Sequence, residues 1–196
     1  DLIAYLESTY HFKYMKEQSM TNVYNGSVSN QTALSAPNRE NYGFSCIENN
    51  IDCAGDNRDA QYWSSSALKL QNDSVFIVLG ILHSNIAQTV YSNVVIYEHG
   101  LQPGPTVNSL AYNGSAFILP VNTSVSKVEL QNMFVVQVAR PHSCIQALPG
   151  WCLTEQQLPF TVENKVSARN YLNPSTFTRP ARSLILPDIV LEFVVE

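Results

Sequence analysis

The chain has 196 residues, 45% of them apolar and only 14% charged, with a net charge of −5. This length supports one substantial hydrophobic core, and the apolar content is too ordinary for a globally disordered chain. Eleven Lys and Arg with no basic run leave nucleic-acid phosphates and anionic membranes without the clustered cations they require.

In chain order, residues 1–16 place Ile3, Leu6, Tyr10 and Tyr14 at helical spacing, with Asp1 as a candidate cap. The overlapping stretch from Tyr10 to Tyr14 alternates as a strand would, so a short helix or an extended arm is expected here. A first residue of Asp rather than Met fits removal of a signal peptide. Residues 17–41 show no period and many small polar side chains, which reads as a long exposed loop.

From Tyr62 onward the pattern is β. Expected strands are Tyr62 to Leu70, Val75 to Leu82, Thr89 to Tyr97, Ser115 to Leu119, Met133 to Ala139, Phe160 to Val162 and Ile189 to Val195. Their enrichment in Val, Ile, Tyr and Phe suits pleated, half-buried surfaces. The run from Val75 to Leu82 is the longest apolar one. It falls far short of the roughly 20 residues that cross a bilayer, so no membrane span is expected. The last strand sets Ile189, Leu191, Phe193 and Val195 on one face, after a Pro-containing connection from Asn173 to Pro187.

Five Asn-x-Ser/Thr sequons, at Asn25, Asn30, Asn72, Asn113 and Asn122, mark candidate N-glycosylation sites and an extracellular location, secreted or at the cell surface. Chance alone would supply about three in a chain with this much Asn, Ser and Thr. The excess is modest, but all five lie beside polar or turn-forming residues. Cys46/Cys53 and Cys144/Cys152 fall as two close pairs, and in an oxidising compartment each is expected to form a local disulfide. The crossed pairings stay open, as does a four-Cys zinc site, although intervals of six and seven residues are wider than structural zinc pairs use.

The densest polar cluster runs from Glu48 to Asp59. Asp52, Asp56 and Asp59 there offer oxygen ligands for a weak calcium site, but the spacing does not match the calcium loop, and the same residues build ordinary turns. No other cofactor is expected. The four histidines, His11, His83, His99 and His142, form no metal-binding pair and read as solvated loop residues. No Gly-x-Ser-x-Gly elbow and no phosphate loop is present, so no catalytic residue is assigned and the protein is read as a non-enzyme. Tyr62-Trp63 and Trp151 are candidates either for a sugar-binding platform or for core packing.

These observations converge on an all-β fold: one antiparallel β-sandwich or jelly roll spanning residues 1–196. Residues 1–41 are expected as an arm and glycosylated loop, and 42–196 as the sandwich core. The functional expectation is a structural subunit of an extracellular filament, coat or matrix. It would hold together by self-association, with exchange of the last strand or the N-terminal arm between subunits as one route. The alternatives are a carbohydrate- or protein-binding module and a secreted hydrolase.

Overall fold

The computed structural model describes residues 2–22, 60–98, 105–118, 126–159, 163–177, 180 and 182–195. It begins with helix α1 (Leu2–Tyr10) and strand β1 (Phe12–Ser19), followed by β2 (Thr21–Asn22), β3 (Ala60–Ser64), β4 (Ser74–Ile81), β5 (Tyr91–Glu98) and β6 (Thr106–Asn108). Two short helices, α2 (Ser109–Tyr112) and α3 (Lys127–Gln131), flank a 3-10 turn (Ser115–Ile118). Then come β7 (Met133–Ala139), β8 (Gly150–Cys152), β9 (Asn164–Tyr171), a 3-10 turn (Arg182–Leu184) and β10 (Ile189–Val195).

The strands form two five-stranded sheets, ordered β1-β10-β4-β7-β8 and β2-β3-β9-β5-β6. All pairings are antiparallel except β7 with β8. This is the expected sandwich. Phe76, Val78, Val136 and Val190 of the first sheet meet Trp63, Val94, Ile96, Val166 and Ala168 of the second in the main core.

A second core lies on the far side of the first sheet. There Val75, Ile77, Val135, Leu191 and Phe193 are covered by Leu6 of α1, by Ala116, and by Ile145 and Leu148. Burial on both faces explains why the sequence of β4 shows an unbroken apolar run rather than alternation. It also places the N-terminal residues: the expected short helix forms as α1, and the chain then continues into a paired strand rather than a free arm. Helix α1 ends at Tyr10, His11 takes a left-handed conformation (φ 55), and β1 pairs along β10.

Strand β10 pairs on both sides within its own chain, with β1 and β4. The strand expected over Ser115 to Leu119 is replaced by the 3-10 turn, because Gly114 (φ 74) turns the chain and the Ser115 hydroxyl is held by the Val135 amide at 2.8 Å. The strand expected from Tyr62 begins at Ala60 and ends at Ser64, with Leu68 returning only as an isolated bridge to Asn164. Phe160 to Val162 lies outside the described residues.

The Cys144–Cys152 disulfide is formed, with a Cα–Cα separation of 5.9 Å. The buried Gln137 side chain organises its loop, accepting from Ile145 N at 2.8 Å and donating to Leu148 O at 2.9 Å. Gly150 (φ 138) is required where the loop returns, because a Cβ there would overlap the Gln137 backbone. At the same end of the sandwich, buried Arg140 donates to Leu153 O (3.0 Å), Leu158 O (2.8 Å) and Leu70 O (2.6 Å), tying three connections together.

Candidate functional site at one end of the sandwich

The opposite end gathers the C-terminal ends of β4, β6 and β9 with the N-terminal ends of β5, β7 and β10, as the pairs Ile81↔Met133 and Tyr91↔Tyr171 fix. Tyr112 of α2 bridges the two sheets here. Its ring stacks on Phe134 at 4.4 Å, and its hydroxyl meets Ser92 Oγ at 3.0 Å. Helix α2 is held in place by Asn108, whose side chain accepts from the Leu110 and Ala111 amides at 3.1 Å. Helix α3 carries a capping box between Ser126 and Glu129, and those hydrogen bonds lower the Glu129 pKa.

Beneath these connections lies a buried polar layer. Gln61, Asn170 and Ser92 sit in direct register across β3, β9 and β5 and are all buried. Facing them, Asp188 precedes β10 with 4% exposure. Its carboxyl fills the notch left by Gly80, where an added Cβ would overlap Asp188 Oδ1 and approach Phe134 Cε1 to 2.5 Å. No hydrogen bond reaches that carboxyl from the described residues, and burial pushes its pKa up to about 8. The same burial is the main cause of the raised Tyr112 pKa, with the Asp188 charge adding to it.

His83 is also in this layer, with 1% exposure, which corrects its expected place in a solvated loop. Its Nδ1 lies 2.7 Å from Gln88 Oε1 and its Nε2 3.4 Å from Leu186 O, while burial lowers its pKa. Nothing in the spacing of a lone His after an apolar strand reveals that two separate connections close over it. Asp188 carried no signal either, since its partner in the fold is a glycine.

The connections above this layer expose many apolar side chains. Nine large hydrophobic side chains are exposed among the described residues, and eight of them, Ile86, Val90, Leu110, Phe117, Val128, Phe177, Leu184 and Leu186, lie in connections at this end. Leu110 is 84% exposed and Phe177 74%. Among the described residues, three of the four non-glycine residues with positive φ lie here as well: Ala87 (56), Leu172 (43) and Phe177 (55). Such conformations cost about 1–3 kcal/mol each and concentrate where a fold is shaped for function.

Asn113, in a sequon, ends α2 at this surface and is exposed; its Oδ1 accepts from Asn85 Nδ2 at 3.3 Å. Asn72, also exposed, sits in the turn before β4 at the far end. Asn25, Asn30, Asn122, Cys46, Cys53, His99, Asp52, Asp56 and Asp59 lie outside the described residues. His11 and His142 are exposed. Trp63 and Trp151 are buried in the main core, so they form no sugar platform. Among the described residues no cluster of three or more His, Cys, Asp and Glu is placed to hold a metal, and no helix is long and apolar enough to cross a membrane. No protein-family model, curated protein or solved structure matches the chain.

Proposed function

We infer that this protein is a secreted or cell-surface glycoprotein whose sandwich serves as a structural subunit of an extracellular assembly, binding through a surface rather than turning over a substrate. The observation that carries this reading is the concentration of exposed apolar side chains at one end of the sandwich. Scattered exposed hydrophobics are ordinary, whereas a concentration of them marks an interaction surface. The two described sequons on exposed turns and the Cys144–Cys152 bridge support the extracellular part.

The sheet edges bear on how such an assembly would form. Among the described strands, β2, β6 and β8 are two or three residues long, and the one long edge, β1, carries exposed Lys13, Lys16 and Glu17 and a register shift between Tyr14 and Lys16. Short, charged and bulged edges resist pairing with another chain. Docking of the apolar end therefore fits better than strand addition. Exchange of β10 would have to break two ladders.

Negative-stain electron microscopy of native material, with intact mass before and after deglycosylation, tests this reading. Glycan-bearing particles of more than one copy are expected; a dispersed, glycan-free monomer would overturn it. A recognition module is the second reading. It is favoured by the outer face of the second sheet, where Tyr91 and Tyr171 stack at 5.4 Å and the Arg169 guanidinium lies 5.1 Å from the Tyr62 ring centre. Glycan-array binding by the isolated monomer, lost on Tyr91→Ala, would favour it.

A further inference from the structure

The same apolar end also constrains the symmetry of the contact, an inference that rests on the self-association just argued. We propose that this end docks against the same end of a second copy, giving a closed head-to-head pair rather than an open filament. An open filament needs two different complementary patches on each subunit, one for each neighbour, whereas a patch that pairs with itself closes into a dimer. Among the described residues the exposed large hydrophobics supply only one such surface. The single one elsewhere, Met15, sits at the register shift of the charged edge strand β1.

The size of the surface fits this occupant. With ordinary side-chain areas of about 150–250 Å², the exposures at this end amount to roughly 900 Å², close to the ~800 Å² each partner contributes to a stable interface. Charge permits it too. The protein carries a net charge of −5, yet the exposed charged side chains described on α2 and α3 are one Lys127 and one Glu129. Those two helices therefore bring no like-charge field to a contact between two copies. Phe177, held outward by its left-handed backbone, is the aromatic anchor that such contacts are built around.

Sedimentation velocity on the enzymatically deglycosylated chain across a wide concentration range tests the proposal. The expected result is a monomer–dimer equilibrium that stops at two copies. Leu110→Glu with Phe177→Glu should raise the dissociation constant about 30-fold or more, while Met15→Glu leaves it unchanged and all variants keep the wild-type circular dichroism. Growth beyond the dimer that the double variant abolishes would overturn the closed symmetry but keep self-association at this end. A monomer at every concentration would overturn both. Loss of the dimer on Met15→Glu alone would move the contact to β1.

Discussion

Asp188 makes stability depend on pH in a direction opposite to that of most carboxylates. Its side chain is buried in the Gly80 notch, and its pKa of about 8 stands well above the ordinary 3.8. Between those two values the folded protein holds a proton that the unfolded chain releases. Stability from this group is therefore complete below about pH 4, falls by ~1.4 kcal/mol for each pH unit above it, and levels off above about pH 8. Across pH 4 to 7 the change is on the order of 4 kcal/mol, a large share of the stability of a domain this size. Asp188→Asn removes the proton but keeps the shape. In urea unfolding at pH 4.5, 5.5, 6.5 and 7.5, the variant should gain on the wild type steadily as pH rises. Every other titrating group contributes equally to both proteins, so parallel pH profiles would refute the buried, neutral carboxyl.

Four further outcomes follow from the same packing. Gly80→Ala should cost about 1–3 kcal/mol by overpacking and should be partly rescued by Asp188→Ala, which a double-mutant cycle in urea would resolve as a coupling. His83, neutral because it is buried, should cost stability as pH falls below 6.5; His83→Gln should remove that dependence in thermal melts. Arg140→Ala strips three carbonyls of their donor and should destabilise by about 3–5 kcal/mol in chemical denaturation. Replacing Cys144 and Cys152 together by Ser should cost about 2–3 kcal/mol, read by the same method.

The parts of the fold that the sequence showed, and those it hid, divide along physical lines. β4, β7 and β10 were legible because they are buried on both faces or packed as clean stripes, so apolar side chains dominate them, with Gln137 in β7 and Glu192 in β10 as the polar exceptions inside the runs. β9 was not. Its sequence Asn164-Lys165-Val166-Ser167-Ala168-Arg169-Asn170-Tyr171 has weak β-propensity, yet it is the middle strand of its sheet, fixed by pairing with β3 and β5 on either side. α2 and α3, at four and five residues, are too short to show a helical period, and their caps Asn108 and Ser126 were the only local signal. The apolar end was hidden for a different reason. Its residues come from three separate connections, β4 to β5, β6 to β7 and β9 to β10, and only pairing of the strands between them brings those connections to the same end.

The measurement that bears most directly on the central claim is hydroxyl-radical footprinting of native, assembled material against the same protein dispersed to monomers. Assembly through the apolar end predicts that Leu110, Phe177 and Leu186 lose reactivity on assembly while exposed Met15 on β1 keeps it. Unchanged reactivity at Leu110 and Phe177, with protection at Met15, would contradict the account and place the contact on the strand edge.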